Sequence, residues 1–176
     1  MSDSLQRSII RDVVHGDIFV PADIRAMIDT RTFQRLRYIQ QLATCHYAFP
    51  GATHTRFSHS IGAYHLAVQL TRHLKEIYPN LLNDLDLRLV QYGALLHDIG
   101  HPPFSHMLET PEIFANYASH ETWGKRLLLD PECDLYQVVH NLVGDDGIQR
   151  LVDIMEGGIA LPALHEIVSS QLDVDR

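Results

Sequence analysis

Apolar and polar positions follow two different periods near the start of the chain. Residues 7–20 (RSIIRDVVHGDIFV) carry β-branched pairs on both sides of His15-Gly16, which predicts a short hairpin or an extended arm. From Pro21 onward the period becomes helical, because apolar side chains recur at Ile24, Met27, Ile28 and Phe33. We therefore expect an N-terminal extended arm over residues 1–20 and a helical domain over residues 21–176.

Two long helices are predicted in the middle of the chain. The first runs from Arg56 to Tyr78, and its apolar stripe is formed by Ala63, Leu66, Leu70, Leu74 and Ile77. The second starts at Asp84 or Asp86, stops at Gly100 before two prolines, and buries a face formed by Leu87, Val90 and Ala94. The stretch 43–55 before the first helix is predicted to be a loop because it contains Pro50-Gly51.

Further helices are predicted towards the end of the chain. Ser119 is a candidate N-cap for a helix through Leu129. Helical periods also cover residues 134–142, 146–155 and 161–176. Together these patterns predict a mostly α fold with one short extended or hairpin segment near the N-terminus.

Several titratable residues fall on the apolar faces of these helices. His59 lies four residues before Ala63, and His97 lies three residues after Ala94 with Asp98 beside it. Asp175 lies three residues after Leu172 on the last predicted helix. A single inward histidine is usually an ordinary hydrogen-bonded core residue. Burial of several ionised groups is costly without compensation, however, and a divalent cation supplies it.

Composition adds one further observation and excludes several classes of protein. Nine of the twelve histidines fall between His46 and His120, and three of them lie within LLHDIGHPPFSH. The net charge of −8 argues against non-specific binding to a nucleic-acid backbone. Two cysteines, Cys45 and Cys133, make no disulfide framework, and we find no secretory signal and no apolar run of the ~20 residues that span a bilayer. We expect a cytoplasmic protein with no membrane partner.

Four blocks of the sequence occur in the same order in a known family. They are RTFQRLRYIQQL, FPGATHTRFSHSIG, LLHDIGHPPFSH and SSQLDVDR. Their pattern H…HD…D resembles the HD-domain metal-dependent phosphohydrolases, and the blocks are most similar to those of the SAM-and-HD-domain dNTP triphosphohydrolases and their bacterial relatives. The resemblance runs from about Ile9 to Arg176 and includes DVVHGDI. It implies that residues 21–176 form an HD phosphohydrolase domain, which is a helical bundle.

The resemblance implies a reaction and a set of site residues. The reaction is metal-dependent hydrolysis of deoxynucleoside triphosphates to deoxynucleoside and triphosphate. The implied metal ligands are His59, His97, Asp98 and Asp175, where Asp175 is preferred to Asp173 because it directly precedes the basic residue. Imidazole and carboxylate ligands suit Mn, Fe, Zn, Ni or Co, and the carboxylates also admit Mg.

The same blocks imply roles in substrate binding and proton transfer. Arg56 matches the arginine that holds substrate phosphate, Gln41 and Leu42 match the sugar-contacting pair, and Arg176 is assigned to the substrate-binding group. Candidate catalytic residues are His101, His106 and His120, together with Glu109, which stands where the family often has an orienting aspartate. Which histidine acts as the general acid is left open.

The resemblance also implies binding partners and a domain that continues beyond this chain. A dNTP or related nucleotide is the expected substrate, and a homo-oligomer, either a dimer or a tetramer, is the expected assembly. Asp29 and Arg37 match positions that read a regulatory nucleotide, although Ser8 replaces a lysine of the regulated members and Asp29 has the alternative role of capping TRTFQRLRY. Family members continue beyond the last block, so we expect this domain to be truncated at its C-terminus.

Two other functions remain open on the sequence alone. An HD protein of similar core can act as a nucleotidase or as a phosphodiesterase on another nucleotide. A non-catalytic relative can bind a nucleotide or a nucleic acid without turnover. The QQL triplet before the FPG loop favours dNTPs, but it comprises few residues.

Overall fold

The computed structural model describes residues 8–80, 83–109, 118–158 and 162–168, without the side chains of 105, 106, 162 and 163. The predicted ligand Asp175 and the predicted substrate residue Arg176 lie outside the described residues, and so does the side chain of His106. Of the helix predicted over 161–176, the described part is Pro162–Val168.

The described chain is mostly helical, with a small antiparallel hairpin first, as the sequence predicts. The strands are β1 (Ser8–Asp12) and β2 (Gly16–Val20), and the α-helices are α1 (Ala22–Ile28), α2 (Arg31–Gln34), α3 (Arg56–Ile77), α4 (Asp84–Leu96), α5 (His120–Leu129), α6 (Asp134–Glu156) and α7 (Pro162–Val168). Short 3₁₀ turns cover Arg35–Tyr38, Cys45–Tyr47 and Ser105–Leu108. No helix within these described ranges combines the length and the apolarity that a membrane span requires.

The hairpin is closed by its own polar residues and is attached to the helices. Asp12 Oδ1 accepts hydrogen bonds from the backbone N–H groups of Val14 and His15, at 2.8 and 2.9 Å. Gly16 then adopts φ +73°, a left-handed conformation that favours glycine. On β2, Ile18 and Val20 are almost fully buried, which fixes the inward face of the hairpin against the core.

The turn of the hairpin also rests on α3 through two histidines. The rings of His15 and His65 lie 5.1 Å apart, and the absence of a side chain at Gly62 leaves room for the His15 ring. Burial, and then the nearby His15, lower the pKa of His65, while Asp12 acts in the opposite direction. His65 is therefore favoured in its neutral form in the folded state.

This arrangement makes part of the stability dependent on pH. Since the pKa of His65 is lower in the folded chain than its unfolded value of about 6.5, the unfolded chain takes up this proton first as the pH falls. The stabilisation that results from this pKa difference is fully present above about pH 6.5, and it is lost as the pH falls through the pKa of His65 in the folded chain. We expect His65→Gln to flatten the slope of unfolding free energy between about pH 7 and pH 5, measured by denaturant titration. His73→Gln, on an exposed part of the same helix, is the control, and equal slopes in all three proteins would contradict the prediction.

The first helical segment is interrupted where the sequence suggests continuity. The chain leaves α1 at Asp29, and the Thr30 side chain accepts from Phe33 N–H to start α2. The alternative role of Asp29 as the cap of TRTFQRLRY is therefore wrong, because Thr30 supplies that cap. Asp29 instead accepts a hydrogen bond from Arg25 at 3.2 Å on the surface.

Helix α3 buries a different face from the predicted one. Of the predicted stripe Ala63 is buried, but Ile77 is 51% exposed, and the intervening leucines are only partly buried. The buried face runs instead through Phe57, Ile61, Tyr64, Ala67 and Thr71. Leu66, Leu70 and Leu74 pack against the core without being enclosed by it, whereas the buried face combines large and small side chains.

Helix α4 occupies the centre of the fold and follows its predicted face. Asn83 is the N-cap, so the helix starts at Asp84. The predicted buried residues Leu87, Val90 and Ala94 are all in the core. Because α4 contacts α3, α6 and α7, its C-terminal end is fixed in the interior of the bundle.

The remaining helix predictions are confirmed in their main features. The Ser119 side chain caps α5 as expected, at the N–H of Thr122. Helix α6 is one run, but Gly144 interrupts it with φ +69°, in the gap between the two predicted helices. Cys45 is exposed and Cys133 is buried, and both are free thiols.

Candidate active site

Three predicted metal ligands meet where the start of α3 faces the end of α4. His59 Nε2 lies 3.2 Å from His97 Nε2, and the carboxylate of Asp98 lies 3.7 Å from His59 Nε2 and 3.5 Å from His97 Nε2. Donor atoms bound at about 2.1 Å to one cation lie about 3.0–3.4 Å apart. The nitrogen–nitrogen distance falls in this range and the two carboxylate distances lie slightly above it, so these three groups can converge on a divalent transition metal. Asp175, the fourth predicted ligand, is outside the described residues.

A hydrogen bond to the ring nitrogen that faces away from the site fixes the orientation of His97. Its Nδ1 lies 2.8 Å from the carbonyl oxygen of Ala94, which accepts the hydrogen bond of an Nδ1–H tautomer. That tautomer leaves the Nε2 lone pair directed towards His59 and Asp98. A backbone carbonyl on the second ring nitrogen is the usual support of a histidine ligand.

Asp98 is the buried centre of the site. Its side chain is 5% exposed, and Arg56, at 3% exposed, donates from Nη1 to Asp98 Oδ2 at 2.6 Å. His101 Nε2 lies 3.3 Å from the other carboxylate oxygen. Burial alone raises the pKa of Asp98, but His97, His101 and Arg56 together outweigh it and hold the pKa below its usual range. The carboxylate therefore stays ionised, as a metal ligand must.

A second cluster lies on the other side of His101. His120 Nδ1 lies 3.0 Å from Glu109 Oε1, and His101 Nδ1 lies 3.7 Å from the same oxygen. The two imidazole rings stack at 3.8 Å with their planes 13° apart. Burial is the main cause that lowers the pKa of His101; Asp98 acts in the opposite direction, and Arg56 and His120 add to the lowering. A carboxylate beside two imidazoles determines which ring nitrogen carries the proton.

Both clusters open on one cavity of about 410 Å³. Its polar wall contains Arg56, His97, Asp98, His101 and His120, and the predicted sugar-contacting residues Gln41 and Leu42 also line it. The opposite wall is apolar, with Leu128, Val152, Met155 and Val168. A volume of this size accommodates a small-molecule ligand of nucleotide dimensions.

Two predicted residues lie apart from this cavity. Asp29 contacts Arg25 on the surface, and Arg37 donates from Nε to Gln34 Oε1 at 2.7 Å with its guanidinium 3.5 Å from the centre of the Phe57 ring. Neither residue belongs to the cavity wall. The regulatory nucleotide near them and the homo-oligomer remain predictions.

Three residues that sequence reasoning missed also shape the site. Lys125 and Glu156 form an ion pair of 2.8 Å between α5 and α6, and both line the cavity. Glu121, which is more exposed, also lines it and lies 3.4 Å from His120 Nε2. Glu121 and Lys125 lie on α5 with His120, but Glu156 joins them only when α5 packs against α6, so its place in the site leaves no pattern in the sequence.

A family model of the HD domain matches residues 56–144, which is half of the chain and contains His59, His97 and Asp98. The chain belongs to the HD-domain family. Its mostly helical fold and its candidate metal centre agree with that membership.

Curated relatives place this HD domain near one branch of the family. It is 48% identical over 102 residues to deoxynucleoside triphosphate triphosphohydrolase SAMHD1 of Bos taurus, a match that covers 57% of this chain and 17% of the relative. The corresponding protein of Homo sapiens is 47% identical over 102 residues, covering 57% of this chain and 16% of the relative. The chain thus spans less than a fifth of these relatives.

A solved structure supports the same placement over almost the whole chain. A phosphohydrolase from Bacteroides thetaiotaomicron matches with a TM-score of 0.82 and 33% identity, covering 97% of this chain and 40% of that one. The HD-domain bundle of this chain is therefore similar in fold to that of a solved phosphohydrolase, and its sequence is similar to that of the dNTP triphosphohydrolases.

Proposed function

We propose that this HD domain hydrolyses deoxynucleoside triphosphates to deoxynucleoside and triphosphate with the help of a divalent metal. One observation carries the proposal: the donor atoms of His59, His97 and Asp98 converge beside a cavity that also presents Arg56 and two further imidazoles. Metal-assisted hydrolysis of a phosphate ester makes use of a cation, a fixed positive donor and a proton donor in one place. Similarity to triphosphohydrolases over part of the chain supports this choice of substrate.

The metal site defines where the reaction takes place. His59, His97 and Asp98 would hold the cation, with Asp175 as the proposed fourth ligand. A divalent metal bound there supplies a water of lowered pKa and neutralises charge on phosphoryl oxygens. Manganese, iron, zinc, nickel, cobalt and magnesium are the candidates, since nitrogen and oxygen donors are both present.

Arg56 holds the phosphate end of the substrate. It lines the cavity while its Nη1 is bonded to Asp98, so its guanidinium is fixed in place before substrate arrives. Fixed positive donors that face developing negative charge contribute strongly to catalysis because they need no rearrangement during the reaction.

Proton transfer to the leaving 5′ oxygen is assigned to a histidine of the second cluster. Glu109 fixes the Nδ1 side of His120, so Nε2 is the atom that exchanges protons. A correctly placed general acid contributes about 10²–10⁴-fold. His106 remains the alternative donor, and His101 supports the stack from the Asp98 side.

Gln41 and Leu42 are proposed to contact the sugar. The Gln41 side-chain oxygen is buried and has no hydrogen-bond partner among the described residues. A sugar hydroxyl is a donor of the kind that this oxygen requires.

The proposal is tested by incubating the 176-residue chain, loaded with each candidate metal in turn, with dNTPs, NTPs, nucleoside monophosphates and cyclic dinucleotides. We expect inorganic triphosphate and deoxynucleoside from dNTPs alone, detected by ion-exchange chromatography. Cleavage of monophosphates or cyclic dinucleotides alone would replace the proposal by the nucleotidase or phosphodiesterase alternative. Binding of dNTP by metal-loaded protein without any turnover would make the domain a binding module.

Arg56→Gln gives a separate prediction that depends on the buried ion pair. The substitution removes one partner of a pair in which both side chains are almost completely buried, a change that typically costs about 3–5 kcal/mol. A bound cation compensates the Asp98 carboxylate, so the loss in melting temperature should be larger after EDTA treatment than in metal-loaded protein. Turnover should fall about 10²-fold.

The control for this variant is Arg72→Gln, an exposed arginine on the same helix. Calorimetry with and without metal, together with steady-state kinetics, measures both effects. Unchanged kinetics in metal-loaded Arg56→Gln would remove Arg56 from the phosphate site.

A further inference from the structure

Arg35 is a polar side chain near the site that does not line the cavity. It lies in the 3₁₀ turn after α2 and is partly buried. Its Nη1 donates to the carbonyl oxygen of His101 at 2.7 Å, and its Nη2 donates to the carbonyl oxygen of Ile99. Among the described residues no carboxylate pairs with it, so its charge acts on backbone carbonyls.

The two carbonyls belong to the turn that carries the chemistry. In this turn Ile99 N–H donates to Leu96 O at 3.0 Å, and His101 N–H donates to Asp98 O at 3.1 Å. The same five residues, 97–101, supply the side chains of His97, Asp98 and His101. Carbonyl groups at the C-terminal end of a helix such as α4 lack helical partners and carry partial negative charge, which a cation stabilises.

A second element also contacts this turn. Gly100 lies directly against the backbone of α5, where an added Cβ would come within 3.0 Å of atoms of His120 and Gly124. The turn is therefore in contact with both the α5 backbone and the Arg35 guanidinium. Loss of either contact would move three site residues together.

We infer that Arg35 is a positioning residue, which sets the backbone of residues 97–101 through its two carbonyl contacts and so places the metal ligands and His101. The inference rests on the proposed hydrolase function for its kinetic consequence, but not for its structural one. A planar guanidinium reaches both carbonyls at once, whereas a lysine ammonium is a single point of charge. Lysine should therefore preserve only part of the effect.

The experiment compares Arg35→Met and Arg35→Lys with Arg31→Met. Arg31 lies four residues earlier, and its side chain is exposed, so it controls for the loss of a positive charge in this segment. All proteins are assayed well below their melting temperatures, and turnover is referred to the folded fraction. Cobalt(II) is then added to each protein, and its visible absorption is recorded, because that spectrum depends on the ligands and their geometry.

We expect Arg35→Met to lower kcat about 10–100-fold with KM changed less than about twofold, since misplacement of a site by about 1 Å costs about 10²-fold without removing a substrate contact. Its cobalt spectrum should differ from that of the unchanged protein, Arg35→Lys should lie between them, and Arg31→Met should match the unchanged protein. If the unchanged protein hydrolyses no nucleotide but the cobalt spectrum responds to Arg35→Met, the proposed function fails and the positioning role stands. An unchanged cobalt spectrum together with an unchanged kcat in Arg35→Met would overturn the inference, and so would a loss of activity that follows the folded fraction alone.

Discussion

His97→Ala should remove most of the bound metal and reduce hydrolysis to background. The substitution deletes one of three described donors that lie within 4.8 Å of one another. Loss of a hydrogen-bond partner of a metal ligand already costs about 10–100-fold in metal affinity. Loss of the ligand itself should therefore cost at least about 100-fold. Metal content after gel filtration and initial rates of triphosphate release measure the two effects.

His97 is a better choice for this test than Asp98. Removal of Asp98 would also take away the carboxylate to which the buried Arg56 donates, so a folding defect would accompany the loss of metal. His97 is 14% exposed and lies at the end of α4, where alanine is tolerated. His140→Ala, which changes a histidine on the surface of α6, is the control. Stoichiometric metal in His97→Ala would eliminate the proposed ligand set.

Gly100→Ala should destabilise the protein by at least about 3 kcal/mol, because the new methyl group meets backbone on the facing helix rather than a flexible side chain. A Cβ there would lie within 3.0 Å of the His120 carbonyl oxygen and of Gly124 N, and 2.9 Å from the His120 carbonyl carbon. For a chain of this size the melting temperature should fall by about 6–12 °C. The displaced α5 would also separate His120 from His101, so turnover in the remaining folded protein should fall as well.

Gly124 of α5, on the facing side of the same contact, provides the control. A Cβ at Gly124 would lie 3.5 Å from Ile99 Cγ2 and 3.7 Å from Gly100 N, which are ordinary contacts. Gly124→Ala should therefore be neutral or should stabilise the protein by up to about 1 kcal/mol, since alanine is favoured within a helix. Equal melting temperatures for Gly100→Ala and Gly124→Ala would show that α5 does not press on the turn.

The parts of the fold that depend on local sequence could be predicted. Ser119 as a cap, the buried face of α4 and the break near Gly144 each depend on residues within one or two helical turns. The face of α3 was predicted wrongly because it is chosen by the helix that packs against it. Leucines mark the hydrophobic side of an isolated helix, but the residues enclosed in the fold include Phe57, Ile61 and Tyr64, which lie outside the predicted stripe.

The residues of the candidate site could be predicted from the sequence, but most of their contacts could not. His97, Asp98 and His101 were identified because they lie in one short block, and His59 because it lies four residues before Ala63, the buried member of the predicted stripe. Contacts between distant segments were not visible, such as the Arg56–Asp98 ion pair across 42 residues. Arg35 was part of a recognised block, but its contacts with two backbone carbonyls follow from tertiary structure and leave no pattern in the sequence.

The two sides of the cavity differ in how easily they separate. Next to the histidines, Gly100 meets the α5 backbone directly, whereas the cavity wall between α5 and α6 is joined by the ion pair of Lys125 with Glu156, whose side chains are both about 40% exposed. An exposed ion pair contributes only about 0–1 kcal/mol and is weakened further by salt. We therefore expect the α5–α6 wall of the cavity to loosen with rising ionic strength before the histidine stack does.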